Sequence, residues 1–285
     1  MKTETSIIIP AKNELAGIKR ILPSIKELYP DAEIILVDDG STDGTKEYCE
    51  EIDVRCVKHV YSKGNGAAIK TGAKNASGEV LVFLDADGQH SPEDIKKLLG
   101  RLDAGYDMVV AARAKESHAS ILRYIANSIY NKLASWMAGH NIEDLTSGFR
   151  AVKADKFREY LYLLPNGFSY PSTITMAFFR SGYSVEYIRI DVEKRIGKSH
   201  IKPIRDFLRF FLIIFRVATL YSPLKIFFFF SLICFITGMA NYLYTYIYYK
   251  WFIKMSFLLL SMSILIFLIG LISEQVTMLI YKKNN

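Results

Sequence analysis

Val80-Leu81-Val82-Phe83-Leu84 runs without interruption into Asp85-Ala86-Asp87. An apolar run of this length, bounded by turn formers, suits a strand buried on both faces, as in a parallel sheet. In sheets of that kind ligands bind beyond the carboxyl ends of the strands, which is where Asp85 and Asp87 fall. In an extended segment the two side chains point the same way. Such a pair suits a hard cation, Mg2+ or Mn2+, with a diphosphate and water completing the coordination. A calcium loop is excluded, because the twelfth position counted from Asp85 is Lys96 and not the required Glu.

Runs of the same kind recur at Ser6–Ile9, Ile34–Val37, Val54–Val57 and Met108–Ala111. Helical patterns lie between them. Leu15, Ile18, Leu22, Ile25 and Leu28 repeat at three and four, with Pro23 expected to kink or split that helix. Thr45–Ile52, Gly66–Ala76 and Pro92–Leu102 fill the next gaps. Ser91 reads as the cap of the last, with Pro92 at the first helical position and Asp94 closing a box. Alternating β and α segments predict a mainly parallel sheet covered by helices. A further amphipathic helix is expected over Ile121–Met137 and a late strand over Tyr183–Val192. Pro10, Asp38-Asp39 and Asp85-Ala86-Asp87 all stand at carboxyl ends of predicted strands, so three motifs should converge on one crevice.

Two of these motifs have a plainer reading as well. Ser41 or Asp43 could cap the helix after Asp38-Asp39, and Asn13 and Glu14 could cap and favour the start of the helix after Pro10. The functional alternative sets Asp39 against the donor groups of a nucleotide base. Gly64-Asn65-Gly66 imitates a dinucleotide fingerprint, but Ile69 stands where the third glycine belongs, and no Gly precedes Lys70-Thr71 as a phosphate loop needs. No hydrolase triad or zinc-protease pattern is found among the five histidines. Cys49, Cys56 and Cys234 have no metal spacing and read as free, buried thiols of a reducing compartment.

The character of the chain changes near Lys202. Over 201–222, Lys202, Arg205, Arg209 and Arg216 fall within a helical stripe of about 60°, with Phe207, Phe211, Ile214 and Ala218 opposite. A basic amphipathic helix of this kind lies in a membrane interface. Two apolar stretches follow, Leu224 to Tyr248 and Ser256 to Ile280, each long enough for a bilayer core of about 30 Å. Tyr242, Tyr244, Tyr246, Tyr248, Tyr249 and Trp251 crowd the short turn between them, as interfacial aromatics do. Arg209, Arg216, Lys225 and Lys282-Lys283 flank the opposite ends and outweigh Lys250 and Lys254 at the turn, which predicts both termini in the cytoplasm. Ile7-Ile8-Ile9 is too short for the core of a signal peptide, so the first 200 residues are expected to stay there as well. The net charge of +7 is ambiguous alone, but its clustering beside the apolar tail favours a lipid surface over nucleic acid. Two spans are too few to enclose a transport pathway.

Ile8-Ile9-Pro10-Ala11-Lys12-Asn13-Glu14, Val37-Asp38-Asp39-Gly40-Ser41-Thr42-Asp43-Gly44 and Asp85-Ala86-Asp87-Gly88-Gln89-His90 together resemble the family 2 glycosyltransferases of the GT-A fold. Ala112-Arg113, Asp144-Leu145-Thr146-Ser147-Gly148-Phe149-Arg150 and Arg195-Ile196-Gly197-Lys198-Ser199 resemble its polyprenyl-phosphate branch, typified by dolichol-phosphate mannose synthase. The resemblance covers nearly the whole chain. It implies a GT-A domain over 1–200, a juxtamembrane helix over 201–222 and a transmembrane hairpin over 223–285. It also implies a metal-dependent, inverting transfer of a hexose-type sugar from a UDP- or GDP-sugar to dolichyl or undecaprenyl phosphate. Carried over by residue, Pro10, Glu14, Val37 and Asp39 would hold the nucleoside, and Asp85, Ala86, Asp87 and Gln89 the metal and donor diphosphate. Arg113, Arg195 and Lys198 would meet donor phosphates, with Asp87, Gln89 and Arg195 the catalytic set. Arg123, Ser147 and Ser199 would meet the acceptor phosphate, and Gly197 would let 195–199 close as a lid. The rivals are a transferase that extends a glycan or glycolipid, weakened because neither Trp136 nor Trp251 follows Gln-x-x-Arg, and a non-catalytic nucleotide-sugar-binding scaffold. A homo-oligomer is left open.

Overall fold

The computed structural model describes residues 4–113, 121–167, 169–192, 215, 219–250 and 254–282. It divides into two compact units, Met1–Trp136 with His140–Pro203, and Met137–Gly139 with Ile204–Asn285. Much of the expected amphipathic helix lies outside the described residues, including Lys202, Arg205, Phe207, Arg209, Phe211, Ile214, Arg216 and Ala218. So do Arg195, Gly197, Lys198 and Ser199.

Strands β1 (Thr5–Ala11), β2 (Glu33–Asp38), β3 (Arg55–Lys58), β4 (Val80–Phe83), β5 (Met108–Arg113), β6 (Arg150–Lys153) and β7 (Val185–Ile190) form one sheet in the order β3-β2-β1-β4-β6-β5-β7. Helices α1 (Leu15–Leu28), α2 (Thr45–Glu51), α3 (Asn65–Asn75) and α4 (Asp94–Asp103) connect the first five strands; α5 (Ile121–Ala138), α6 (Ala154–Glu159) and α7 (Tyr170–Arg180) follow. Ile7, Ile9, Leu36 and Val82 pack with Ile18, Leu22 and Ile25 of α1 and Ile95 and Leu98 of α4. On the other face Phe83 packs on Phe157, ring centroids 4.7 Å apart. Burial on both faces is why these strands read as continuous Ile and Val runs.

The sheet is mainly parallel, as the alternation of β and α segments predicts, with one strand reversed. β6 lies antiparallel between β4 and β5, while the remaining pairs are parallel. Since β5 therefore runs with β4, the carboxyl ends of β1, β2, β4 and β5 and the entry to β6 share one end of the sheet. Pro23 neither splits nor ends α1. It is exposed, so the carbonyl it leaves without a donor faces water. The box expected at Ser91 does not form. The Ser91 hydroxyl bonds the Glu93 carboxylate, Pro92 and Glu93 form a turn, and α4 starts at Asp94. Of the thiols only Cys49 is buried; Cys56 and Cys234 are partly exposed.

In the second unit α8 (Pro223–Tyr249) and α9 (Lys254–Lys282) are long and apolar enough to cross a membrane. Lys250 ends α8 with φ +54°. The residues buried between the two helices are small. Ser231, Gly238 and Thr245 recur every seven residues on α8, and Ser256, Ser263, Gly270 and Thr277 do so on α9. A seven-residue period keeps one seam facing the partner helix. Small residues let two backbones approach closely where apolar burial gives no drive. A Cβ on Gly270 would lie 2.6 Å from Cβ of Phe227, and one on Gly238 3.0 Å from Cβ of Leu259. The Ser231 hydroxyl donates to the Ser263 carbonyl at 2.9 Å, that of Ser256 to Asn241 Oδ1 at 2.8 Å, and the Leu224 N–H to Glu274 at 3.3 Å.

Candidate active site

The first two motifs are tied to each other before any ligand arrives. Asn13, at φ +54°, donates its backbone N–H to Ser41 Oγ (3.0 Å), and its side-chain oxygen accepts the N–H of Thr42 (2.8 Å). The start of α1 is capped from outside. Asp43 accepts the N–H of Leu15 through Oδ2 (2.9 Å) and the N–H and hydroxyl of Thr45 through Oδ1. One carboxylate thus serves the first turns of α1 and α2, which makes Asp43 and not Asn13 the cap. The third motif joins through Gly17. A Cβ there would come within 2.1 Å of the Ala86 carbonyl oxygen, so the first turn of α1 lies directly on the Ala86–Asp87 backbone.

Pro10 and Val37 face each other in the β1–β2 register, both buried, and Glu14 stands half-buried at the N-cap position of α1. Asp39 is the hub of the nucleoside end. Its Oδ1 accepts from His59 Nδ1 and the N–H of Lys63, both at 2.7 Å, and its Oδ2 from Ser62 Oγ (2.7 Å) and the N–H of Gly64 (2.9 Å). Burial is the largest single influence on this carboxyl and would raise its pKa. The donors, His59 first, outweigh it and hold the group below the usual carboxylate range. Asp38 is wholly buried and accepts the N–H of Ser41 at 2.7 Å.

Asp85 and Asp87 are half-buried, and the segment that carries them is not extended. β4 ends at Phe83, and Ala86 and Asp87 lie in a turn that Gly88 completes at φ +71°. Within it Asp87 Oδ1 accepts the N–H of Gln89 at 3.2 Å, the local bond by which an Asp shapes its own turn. Among the described residues no group of three or more His, Cys, Asp or Glu side chains is placed to hold a metal. A two-carboxylate donor set suits a hard cation that takes its other oxygens from a diphosphate and water.

The entry to β6 closes the site from the other side. A Cβ on Gly148 would stand 2.8 Å from Asp85 Oδ2 and 2.9 Å from Oδ1, so any larger residue here would require the carboxylate to shift. Behind it, Tyr170 donates to the Gly148 carbonyl at 3.1 Å and Arg150 to the Ser147 carbonyl. Arg150 is wholly buried, bonds Thr175 Oγ1 (3.0 Å) and the Pro171 carbonyl (3.2 Å), and lies over the Tyr170 ring. Burial pushes its pKa down. Ser147 is buried too, and its hydroxyl has no hydrogen-bond partner among the described residues. Arg113, at the end of β5, forks onto Asp144 (Nε–Oδ2 2.8 Å, Nη2–Oδ1 3.2 Å) and Thr146 Oγ1 (2.6 Å). Burial works against its charge, but Asp144, with Asp85 and Asp87 beyond it, raises its pKa.

Pro10, Glu14, Val37, Asp39, Asp85, Ala86, Asp87, Gln89, Arg113 and Ser147 therefore all belong to one end of the sheet. Arg123 falls within α5, and its side chain lies outside the described residues, as do Arg195, Lys198 and Ser199. Sequence reasoning passed over His59, Asp144, Arg150 and Gly17 as site residues. Asp144 and Arg150 carried a signal, since they stand in the same short motif as Ser147.

Residues 6–161 match the family described as glycosyl transferase family 2. The chain belongs to that family. Residues 222–279 match the GtrB C-terminal hairpin. The chain is 30% identical over 211 residues to the polyprenol monophosphomannose synthase of Mycolicibacterium smegmatis, covering 68% of this chain and 80% of the relative. It is 28% identical over 210 residues to the undecaprenyl-phosphate mannosyltransferase of Micrococcus luteus, covering 67% and 85%. Glucosyl-3-phosphoglycerate synthase of Mycobacterium tuberculosis, crystallised with Mn2+, uridine diphosphate and phosphoglyceric acid, superposes with a TM-score of 0.61 at 20% identity, over 76% of this chain and 77% of that one. At that identity the likeness shows a shared fold, the GT-A type.

Proposed function

We propose that this chain transfers a hexose-type sugar from a UDP- or GDP-sugar to a polyprenyl phosphate, dolichyl or undecaprenyl, with inversion and with Mg2+ or Mn2+, at the cytoplasmic face of a membrane. One observation carries the reading. A family 2 catalytic domain and a GtrB-type hairpin occur in the same chain, and relatives along two thirds of its length are named for transfer to polyprenyl phosphates. The proposed domains are 1–200, 201–222 and 223–285, with the basic flanks of the hairpin on the cytoplasmic side.

In this reading Pro10, Glu14, Val37 and Asp39 take the nucleoside. Asp85, Asp87 and Gln89 take the donor diphosphate, and a divalent cation bound there would neutralise charge on the departing nucleoside diphosphate. Arg113 and Arg195, with Lys198, draw in donor phosphate. Arg123, Ser147 and Ser199 hold the acceptor phosphate, to which the Ser147 hydroxyl, without a hydrogen-bond partner among the described residues, could donate. The attacking atom is an oxygen of a phosphate monoester, whose second pKa near about 6 leaves it largely ionised at neutral pH. No strong base is required, and the protein's work is to align and neutralise two anions.

The test is to incubate purified chain and Mn2+ with a panel of nucleotide sugars and short polyprenyl phosphates. The expected product is a glycosyl polyprenyl phosphate formed in step with nucleoside diphosphate. Transfer to a glycan or glycolipid acceptor, with polyprenyl phosphate ignored, would replace this reading with a chain-extending one.

A further inference from the structure

Asp39 sits among donors that nearly all belong to one loop. Ser62, Lys63 and Gly64, the run that leads into the N-cap of α3, supply three of its four bonds. The fourth bond is different. His59 is the first residue beyond β3, and its backbone N–H continues the sheet ladder by donating to the Asp38 carbonyl at 2.8 Å. Its buried ring bridges Asp39 Oδ1 (2.7 Å from Nδ1) and the Thr71 hydroxyl on α3 (2.9 Å from Nε2). Facing the Asp39 carboxylate, which can only accept, Nδ1 is the donor, while Nε2 meets the Thr71 hydroxyl, a group that can donate or accept. With both nitrogens engaged the ring has one orientation. Among the described residues it is the side chain that links the Asp39 carboxylate to the body of α3, beyond the N-cap contact made by Gly64. The loop gains two lesser ties, Lys12 Nζ to Ser62 Oγ at 2.9 Å and the bare Cα of Gly40, where a Cβ would come within 3.0 Å of the Ser62 nitrogen.

We propose that His59 is a positioning residue for the donor nucleotide. It holds the Asp39 carboxylate, and through it residues 60–64, in the arrangement that receives the nucleoside. The inference rests on the donor-site reading of Asp39 given above. A group that orders a binding site in advance removes an ordering cost from ligand binding. Its loss should therefore raise the donor KM and leave kcat and the acceptor KM unchanged.

A purely space-filling role makes a different prediction, and two substitutions separate them. His59→Leu keeps the bulk and removes the donor. His59→Asn places an amide N–H where Nδ1–H stood. Calorimetric titration of the full chain in detergent with UDP and with GDP, in Mn2+, measures binding without turnover. His59→Leu is expected to weaken the bound nucleotide by about tenfold, the worth of one hydrogen bond to a charged group, and His59→Asn to stay within about threefold of the parent. Equal losses in the two variants, or affinity unchanged in His59→Leu, would overturn the inference and leave the donor-site reading standing. A parent chain that binds neither nucleotide would overturn both. Should His59→Leu not fold, Thr71→Val decides: about a threefold loss in affinity supports the inference, since it frees the far side of the ring, and unchanged affinity overturns it.

Discussion

The catalytic end of the sheet and the helical hairpin solve opposite problems with the same few polar atoms. At the sheet end they are gathered. Asn13 bonds Ser41 and Thr42, Asp43 bonds Leu15 and Thr45, Asp39 bonds His59, and Gly17 and Gly148 bring bare backbone against Ala86 and Asp85. In the hairpin they are spread out, one small or polar residue each seven positions along each helix, with Ser231 and Ser256 bonding across to the other helix and Thr245 and Thr277 bonding within their own. A gathered network has no spare members, because removing one partner leaves others buried and unsatisfied. A spread seam has many layers, each worth little. The two regions should therefore answer substitution very differently.

The largest effect is expected at the gathered end. Asp87→Ala should lower turnover by on the order of a thousandfold, the scale on which preorganised charge stabilisation is lost. The circular dichroism spectrum and thermal midpoint should stay close to the parent's, because Asp87 is half-buried at a turn outside the hydrophobic core. Steady-state rates with saturating donor and Mn2+ make the measurement. Turnover within a few-fold of the parent would remove the two carboxylates from the chemistry.

Gly148→Ala comes next, and it tests whether Asp85 is held in place by backbone. The new Cβ must displace the Asp85 carboxylate, since the atoms it meets are the two carboxylate oxygens themselves. A shift in the support of a metal-binding group costs about ten- to a hundredfold in metal affinity or activity. The signature is a raised Mn2+ requirement, read by titrating rate against free Mn2+ and by the paramagnetic resonance signal of unbound Mn2+. An unchanged Mn2+ dependence would mean that Asp85 has room to move, and the gathered end would be looser than its contacts suggest.

Much of this contrast is legible in the amino-acid string, and the exceptions share a cause. β1, β2, β4 and β5 are visible as Ile and Val runs because both faces of each are covered. β6 is not, because Arg150-Ala151-Val152-Lys153 has neither a run nor an alternation, and Arg150 is buried through its partners on α7 rather than by being apolar. Asp85 and Asp87 announce themselves by type and spacing, but the turn that aims them is set by Gly88 and by the packing of Gly17, so extended-strand geometry misplaces them. His59 stands twenty residues from Asp39, and only the pairing of β3 with β2 brings them together. The hairpin seam is plain once the period is counted on Ser, Gly and Thr. A count of apolar residues passes over it, because in lipid the buried face is the small-residue face.

The smallest effect belongs to the seam. Ser231→Ala removes one hydroxyl that bonds the Ser263 carbonyl, a group already engaged in its own helix, and leaves Gly238, Thr245, Ser256 and Gly270 in place. Hydrogen bonds of this kind within membranes are worth about 0.6 kcal/mol on average. Unfolding of the full chain in detergent micelles, followed by helicity, should register a loss of that order, with nucleotide affinity unaltered. A loss above about 2 kcal/mol lies beyond the range measured for such single bonds and would mean that Ser231 anchors a gathered network like that around Asp39. The hairpin would then follow the rule of the catalytic end, and the contrast between the two regions would fail.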